Sequence, residues 1–270
     1  MTTQKITRLI QYFDQFEQFS VAVSGGIDSM VLAYLAHKFS TAQVTVVHAC
    51  SPAVPESALA RIKHYAQSQK WLFKQVNAGE FSDENYLKNP VNRCYFCKSN
   101  LYSRIAEHSS GQIFSGTNLD DLKDFRPGLE AAKELQVKHP YVEAGINKAD
   151  IYRIAKHYNL NDLQCLAAQP CLASRVETGI SIKAQDMVFI DDVEVRTRKL
   201  FPTIENVRCR ITLQGIFVEL DEIPASPALS HLSSQLNDLC NQQGHLFSGV
   251  RLYQKGSTFL NGLDHGVTHG

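Results

Sequence analysis

The chain has 270 residues, 44% of them hydrophobic and 20% charged, which is typical of a globular protein with one or two domains. Lysine plus arginine equals aspartate plus glutamate at 27 each, so the formal net charge is zero and the basic excess of a nucleic-acid-binding protein is missing. No apolar run approaches the about 18 residues of a membrane-spanning helix, and the first residues lack a secretory signal, so we expect a cytoplasmic protein.

The first half of the chain alternates short apolar runs with longer amphipathic ones. The predicted strands and helices, in chain order, cover residues 19–23, 28–39, 43–48, 55–70, 71–76, 98–108 and 112–115. Strands that alternate with helices predict an α/β fold, a parallel sheet with helices on both faces. Ligands bind such sheets at the carboxyl ends of the strands, where the loops gather.

The pattern changes near residue 180. The predicted elements there are a helix, two strands joined by a tight turn at Gln214-Gly215, a second helix and a last strand, covering residues 183–200, 204–213, 216–220, 227–243 and 246–253. We therefore expect a small α+β domain over residues 181–270, appended to the α/β domain over residues 1–180.

A glycine-rich loop follows the first predicted strand. It reads Ser24-Gly25-Gly26-Ile27-Asp28-Ser29 and runs directly into a helix. Glycines let the backbone N–H groups approach an anion, and the positive end of the helix adds to the attraction. Ser24 and Ser29 offer hydroxyl donors, and Asp28 is placed to hold Mg²⁺. The loop predicts a phosphate-binding site, although it lacks the lysine of G-x-x-x-x-G-K-S/T and the third glycine of G-x-G-x-x-G.

This loop resembles the SGGxDS motif of the PP-loop ATP pyrophosphatases, which share an adenine nucleotide alpha hydrolase-like fold. That superfamily includes GMP synthetase, NAD synthetase, asparagine synthetase and several tRNA-thiolating enzymes. The resemblance implies that ATP and Mg²⁺ bind, that pyrophosphate leaves and that the substrate becomes adenylated.

A second loop follows the strand at residues 112–115 and reads GTNLDDLKDFRPG over residues 116–128. Charged side chains of both signs lie there between two glycines. We expect a second wall of the nucleotide site, where the first glycine passes close to the adenosine and an aspartate binds metal or orients the arginine. A plain solvated loop is the alternative. The residues expected at this wall are Gly116, Thr117, Asp121, Asp124 and Arg126.

The second loop resembles the GTNxDDxxDxRPG segment of one PP-loop branch, the LarE sulfur transferases. These enzymes install sulfur on a pyridinium mononucleotide, the precursor of the nickel-pincer cofactor of lactate racemase. The resemblance continues in EAGINK at residues 143–148, PCLASR at 170–175 and VRCR at 207–210. It implies a small carboxylated nucleotide as substrate and a homo-oligomer. Residues 175–179 read RVETG where the family continues R-F/I-P-Y-G, which leaves the exact acceptor open.

Three cysteines carry the predicted sulfur chemistry. The chain has seven cysteines and no signal sequence, which favours metal or thiol chemistry over disulfides. Cys94 and Cys97 form a C-x-x-C pair at the start of a helix, where the helix dipole, Arg93 and Lys98 favour thiolates. Such a pair alone is consistent with a redox pair, half a zinc site or part of an iron–sulfur site. Cys171 is the natural third partner, and three thiolates suit a 4Fe–4S cluster with one open iron.

By resemblance to LarE, Cys171 falls at the position of the sulfur-donating cysteine. Some members surrender the sulfur of that cysteine and leave dehydroalanine, whereas others also have the C-x-x-C pair and look built for a cluster. The presence of all three cysteines favours the cluster, with sacrifice of Cys171 as the alternative. Arginine forks match phosphate and carboxylate groups. The further residues expected at the reacting group or the substrate are Lys98, Ser174, Arg175, Glu194, Arg208 and Arg210.

The motifs together predict an ATP-dependent sulfur transferase that adenylates a carboxylate and then replaces AMP by sulfur. A sulfur-delivery protein is the expected partner. One alternative is a tRNA-thiolating enzyme, against which the zero net charge speaks. Another is an amidating synthetase of the NAD or GMP class, which uses ammonia and needs no cysteines. A non-enzymatic nucleotide sensor with a structural metal is the last alternative.

Overall fold

A computed structural model of the chain describes residues 2–123, 127–166 and 170–254. The chain forms two compact units, Met1–Tyr86 with Asn92–Gln169, and Leu87–Val91 with Pro170–Gly270. The helices are α1 (Thr2–Phe13), α2 (Ile27–Phe39), α3 (Glu56–Ser68), α4 (Glu84–Leu87), α5 (Arg93–His108), α6 (Pro127–Glu134), α7 (Pro140–Glu143), α8 (Lys148–His157), α9 (Asn161–Gln164), α10 (Ala184–Leu200) and α11 (Ser226–Gln242). The strands are β1 (Gln18–Ala22), β2 (Gln43–Cys50), β3 (Leu72–Asn77), β4 (Gln112–Phe114), β5 (Val207–Thr212), β6 (Gly215–Leu220) and β7 (Phe247–Leu252).

The first unit contains a four-stranded sheet in the order β3-β2-β1-β4, and all its pairs are parallel. The chain builds the sheet outward from β1 to β3 and then returns to the other side of β1 to add β4. The winding direction therefore reverses between β1 and β4. In open parallel sheets, the crevice at the carboxyl ends of two such strands is where ligands bind.

Both faces of this sheet are covered. Val46 and Val47 are neighbours in β2 and fully buried, yet they belong to two different hydrophobic clusters. This follows from the strand period, because successive side chains point to opposite faces. The predicted fold class is confirmed: a parallel sheet flanked by helices, with a small mixed sheet near the carboxyl terminus.

Helix α2 fixes the loop that precedes it. Its residues 27 and 29–36 are all buried, and Asp28 is the acidic residue of its first turn. A helix that is apolar on nearly all sides belongs in the interior of a protein. The loop at residues 24–29 is therefore anchored to the core.

The second unit contains the mixed sheet. Strands β5 and β6 are antiparallel, and β7 lies parallel to β6. The short segment Leu87–Val91 belongs to this unit because Asn89 Nδ2 donates to the carbonyls of Glu177 at 2.8 Å and Ile180 at 3.0 Å. From the sequence we placed the domain boundary near residue 180, whereas the contacts divide the chain between Gln169 and Pro170.

Helices α1 and α4 and the short helices α6 to α9 have no counterpart among the elements predicted from the sequence. The apolar pattern of α6 to α9 is split over helices of four to ten residues, so no long period marks them. Within the described ranges, no helix is long and apolar enough to cross a membrane.

Candidate active site

The loop at residues 24–29 joins the carboxyl end of β1 to α2. Gly25 has a φ of +81°, a left-handed conformation that favours glycine. A Cβ atom at Gly25 would also lie 2.8 Å from the Cβ atom of Ala58 in α3, so there is no room for a side chain. Gly26 is the N-cap of α2, and no described side chain caps it. The N–H groups of the first helical turn are thus available to an anion.

The two serines of the loop have different surroundings. The buried hydroxyl of Ser29 accepts from the Ser24 N–H at 3.1 Å and donates to the Gly26 carbonyl at 3.2 Å. Ser24 is exposed, and its hydroxyl lies 3.3 Å from that of Ser29. Ser29 therefore closes the loop, while Ser24 lies at its open side.

Asp28 lies in a charged environment. Its carboxylate accepts from Lys148 Nζ at 2.5 Å and from Asn118 Nδ2 at 3.4 Å. The hydroxyl of Tyr141 donates to the Asp28 carbonyl at 3.0 Å. A carboxylate beside an ammonium suits Mg²⁺ with a phosphate, because the carboxylate can bind the cation and the ammonium can bind the phosphate.

The loop that begins at Gly116 packs onto the start of α2. A Cβ atom at Gly116 would lie only 2.8 Å from the backbone nitrogen of Ser29. Within this loop the carboxylate of Asp121 accepts from the Asn118 side chain at 2.9 Å and from the Asn118 N–H at 3.1 Å. The structure thus brings the two predicted loops together. A contact between Gly116 and adenosine stays a prediction.

The rest of this loop is tied to its neighbours. The first N–H of α8 donates to the carboxylate of Asp120 at 3.1 Å. The Thr117 hydroxyl lies 3.0 Å from that of Ser115. Asp124 and Arg126, both predicted at the nucleotide site, lie outside the described residues.

The C-x-x-C pair lies at the amino end of α5, which begins one residue before Cys94. Cys94 is exposed and Cys97 is half-buried. Residues three apart in a helix share a face, so the two thiols can reach one ligand. The positive end of α5 favours their thiolate forms. Lys98, the next residue, lies with its Nζ atom 5.5 Å from the ring centroid of Tyr102.

The metal prediction needs a third thiolate. Cys94 and Cys97 belong to the first unit and Cys171 to the second. In neither unit do the described residues bring together three histidine, cysteine, aspartate or glutamate side chains that could hold a metal ion. The C-x-x-C pair has the donor chemistry for two ligands of a cluster. The three-thiolate site stays a prediction.

In the second unit, the exposed Cys171 precedes a 3₁₀ turn at Leu172–Arg175. The guanidinium of Arg175 lies beneath this turn and is only 2% exposed. Its Nη1 atom donates to the Pro170 carbonyl at 2.8 Å, the Ser174 hydroxyl at 3.0 Å and the Cys171 carbonyl at 3.3 Å. Arg175 thereby fixes the backbone on both sides of the thiol.

Glu194 holds Arg175 in place. Its carboxylate accepts from Arg175 Nε at 2.8 Å and Nη2 at 3.1 Å, from Arg198 at 2.9 Å and from the Cys209 N–H at 3.1 Å. Burial by itself would raise the pKa of Glu194, but the guanidinium groups of Arg175 and Arg198 outweigh it and hold that pKa below its ordinary value. Glu194 is therefore ionised, and the side chain of Arg175 connects it to the turn that carries Cys171.

A second arginine also holds this turn. Arg210 donates to the Ser174 carbonyl at 3.0 Å and to the buried carboxylate of Glu219 at 2.7 Å, which in turn accepts from Arg251 at 2.9 Å. Arg208 is buried and donates to the carbonyl of the residue before it at 2.9 Å. Substrate contacts by Arg175, Arg208 or Arg210 stay predictions.

Known proteins give the context for these two sites. No family model matches the chain. It is 31% identical to the uncharacterized protein slr1717 of Synechocystis over 227 residues, 83% of the chain and 84% of that protein. It is 28% identical to the uncharacterized protein MJ0830 of Methanocaldococcus jannaschii over 205 residues, 74% of the chain and 77% of that protein. A third relative is the pyridinium-3,5-bisthiocarboxylic acid mononucleotide synthase of Lactiplantibacillus plantarum, 26% identical over 210 residues, 76% of the chain and 75% of that enzyme.

The chain belongs to one family with slr1717 and is LarE-like in sequence.

In this LarE-like chain the structure assembles two sets of predicted residues, one in each unit. The first set is Ser24, Gly25, Gly26, Asp28, Ser29, Gly116 and Asp121. The second set is Cys171, Ser174, Arg175, Glu194 and Arg210.

Several partners of these sets were missed from the sequence. They include Lys148, which lies 120 positions from its partner Asp28, and Glu219, which pairs with Arg210. The contact between Lys148 and Asp28 spans so many positions that it leaves no local pattern in the sequence. The one signal was that Lys148 ends the EAGINK segment that carries the family resemblance.

Proposed function

We propose that the chain is an ATP-dependent sulfur transferase acting on a small carboxylated nucleotide. The observation that carries this proposal is the crevice between β1 and β4. There, an uncapped glycine loop lies beside the Asp28–Lys148 pair, with Gly116 packed against it. Backbone donors, a carboxylate and an ammonium are together the groups that hold and polarise a nucleoside triphosphate with its cation.

In the proposed complex the N–H groups of the loop that follow Ser24, whose own N–H donates to Ser29, bind phosphate oxygens of ATP. The carboxylate of Asp28 holds Mg²⁺, with Asp121 nearby as a further carboxylate of the same loop pair. When bound, Mg²⁺ neutralises charge on the phosphates. The ammonium of Lys148 then binds an anionic phosphate oxygen instead of the Asp28 carboxylate.

The first step is adenylation. A carboxylate oxygen of the substrate attacks the α-phosphorus, the bond from that phosphorus to the bridging oxygen breaks, and pyrophosphate leaves with the electron pair. The product is an acyl adenylate. The positive groups of the crevice stabilise the charge that grows on the leaving pyrophosphate, which is the main contribution a protein makes to such a transfer.

The second step is sulfur transfer. The name of the Lactiplantibacillus plantarum relative describes a product with two thiocarboxylic acid groups, which supports a thiocarboxylate as product here. A sulfur nucleophile attacks the acyl carbon, the bond to AMP breaks, and AMP leaves. The exposed thiol of Cys171 is suited to present sulfur because the backbone around it is held by Arg175 and Arg210.

Two sulfur sources follow from the thiols. If Cys171 itself attacks, loss of its Cα proton and cleavage of its Cβ–S bond release the thiocarboxylate and leave dehydroalanine. A 4Fe–4S cluster held by Cys94, Cys97 and Cys171 would instead supply sulfide and spare the cysteine, and we favour this source. A sulfur-delivery protein would then renew the supply, and we expect a homo-oligomer, as the family resemblance implies.

Pyrophosphate release tests the ATP step. We expect release from ATP and Mg²⁺ that rises on addition of a carboxylated pyridinium mononucleotide. In Asp28→Asn we expect release at least about a hundredfold slower, because the metal ligand is lost. Asp14→Asn, at an exposed aspartate of the same unit, should match the parent. Undiminished release in Asp28→Asn would overturn the mechanism. Stimulation by tRNA or by ammonia in place of the mononucleotide would favour the alternative acceptors.

Analysis of protein purified without oxygen tests the sulfur step. Iron and acid-labile sulfide in the parent, lost in Cys171→Ala but kept in Cys165→Ala, would support the cluster. Cys165 is a suitable control because it is also exposed. If the parent contains no iron, mass spectrometry after turnover should find dehydroalanine at residue 171. Absence of both would exclude sulfur transfer through these cysteines.

A further inference from the structure

The outer side of the loop at residues 24–29 is held by side chains from three other segments. Arg61 Nη1 in α3 donates to the Gly25 carbonyl at 2.6 Å. The Nδ1 atom of His48, at the end of β2, lies 2.9 Å from the carbonyl of Val23, and since a carbonyl only accepts, this nitrogen carries the proton. Tyr141 donates to the Asp28 carbonyl at 3.0 Å.

Holding a carbonyl also directs the next N–H group. A trans peptide unit is planar, so its C=O and N–H bonds point to opposite sides. With the Gly25 carbonyl turned toward Arg61, the N–H of Gly26 must point the other way, away from α3. The Gly26 carbonyl is held in turn by Ser29 Oγ at 3.2 Å and the Met30 N–H at 3.1 Å, which fixes the direction of the Ile27 N–H.

Holding the carbonyl group in one direction matters most at Gly25. Its φ of +81° places it outside the regular structure of β1 and α2, and glycine is the residue with the most backbone freedom. Ala58 closes one side of it, because a Cβ atom there would meet Ala58 at 2.8 Å. Arg61 is one helical turn further along α3 and supplies a charge-assisted hydrogen bond, which is stronger than a neutral one.

The charge of Arg61 is retained. Burial lowers the pKa of Arg61, while the carboxylate of Asp162 opposes that effect, and a guanidinium stays protonated in proteins. Asp162 is itself held by the hydroxyl of Tyr65 at 2.6 Å. A fixed positive charge therefore lies directly behind the peptide unit that donates the Gly26 N–H.

We propose that Arg61 is a positioning residue for the pyrophosphate part of ATP. Through the Gly25 carbonyl it keeps the Gly26 N–H turned toward the phosphates, and its charge polarises that peptide unit. This inference rests on the proposed function, since it assumes that the loop binds phosphates. It adds a residue of α3 to a site otherwise built from the β1 and β4 loops and Lys148 of α8.

Calorimetric binding of inorganic pyrophosphate with Mg²⁺ tests the proposal, with KM and kcat for ATP measured alongside. Arg61→Met should bind pyrophosphate about tenfold or more weakly and raise KM for ATP by a similar factor. Binding of adenosine, which has no phosphate, should not change. Arg61→Lys should recover most of the affinity because it keeps a charged donor. Arg104→Met, at an exposed arginine of the same unit whose partner Glu107 is also exposed, should match the parent.

Two outcomes overturn different claims. If the parent binds neither pyrophosphate nor ATP, the proposed function fails and this inference fails with it. If the parent binds both and Arg61→Met binds pyrophosphate equally well, only the role of Arg61 is overturned. Should Arg61→Met be unfolded at the assay temperature, Arg61→Gln, which removes the charge but keeps a donor, replaces it with the same two outcomes.

Discussion

Two tight segments of this protein, each leading into a helical turn, have carbonyl groups that side chains hold, but the two segments leave different groups exposed. In the loop at residues 24–29, side chains hold the carbonyl groups from outside, and the N–H groups of the α2 start are left for a ligand. In the turn at residues 170–175, buried guanidinium groups hold the carbonyls and the Ser174 hydroxyl, and the Cys171 side chain is presented. The first segment leaves N–H groups exposed, as an anion-binding loop requires, whereas the second leaves a thiol exposed.

The largest expected effect is on the turn that carries Cys171. Glu194→Ala leaves the buried guanidinium of Arg175 without its counter-charge, so we expect the free energy of unfolding to fall by about 3–5 kcal/mol. Urea denaturation measures this. Asp192→Ala is the matched control, since Asp192 pairs with Arg196 on the same helix at the surface, where ion pairs contribute little. Equal small losses in both variants would show that the turn does not depend on the buried pair.

The next effect concerns the backbone of the phosphate loop. Gly25→Ala must adopt a left-handed φ and also displace Ala58, so we expect a loss of about 1–3 kcal/mol in stability and a strong loss of pyrophosphate release. Gly26 has an ordinary φ of −78° and a Cβ atom there would lie 3.6 Å from Ser24 Oγ, so Gly26→Ala should lose only about 0.5 kcal/mol, because alanine is a poorer N-cap than glycine. Thermal unfolding separates the two. Equal melting temperatures would contradict the close contact between the loop and α3.

A smaller effect on stability distinguishes alanine substitutions at two buried serines, Ser29 and Ser20. Ser29→Ala removes the hydroxyl that closes the loop and should lower the free energy of unfolding by about 0.5–1.5 kcal/mol. Ser20→Ala, in the preceding strand, removes a buried hydroxyl to which no described residue gives a hydrogen bond. Its stability should be unchanged or raised. A larger loss in Ser20→Ala than in Ser29→Ala would contradict these hydrogen-bond assignments.

The smallest effect is a pH dependence from His48. Burial lowers the pKa of His48, and the charge of Lys63 adds to this, although the hydrogen bond to Val23 opposes it. The unfolded chain therefore takes up a proton before the folded one does. The contribution of His48 to the free energy of unfolding is complete above the ordinary histidine pKa of about 6.5. It is lost as the pH falls below that value and through the lowered pKa of His48 in the folded protein.

His48→Asn keeps a donor near the Nδ1 position but does not titrate in this range. Its free energy of unfolding, measured between pH 8 and 5, should fall less steeply than that of the parent on the acid side. Parallel profiles would show that His48 does not take up its proton on unfolding.

Much of the fold could be predicted because the strands β1 to β4 and the helices α2, α3, α5, α10 and α11 coincide with apolar or amphipathic segments of the sequence that are separated by polar residues or glycine. The loop at residues 24–29 was also identified from neighbouring residues alone. Glycines at a strand-to-helix junction are a local signature, since only nearby residues determine it. Asn89 is the counterexample: its buried side chain ties residues 87–91 to the second unit, and nothing near it in the sequence indicates this.

The sequence by itself determined the α/β class, the glycine loop at residues 24–29, the C-x-x-C pair and the family resemblance, because each depends on residues close together in the chain. Only the tertiary structure decided which polar groups meet: Lys148 with Asp28, Arg61 with the Gly25 carbonyl, and Glu194 with Arg175. An ion pair depends on distances of a few ångströms, which packing sets and residue spacing does not. The roles of Arg61 and Arg175 in holding backbone therefore appear only in three dimensions.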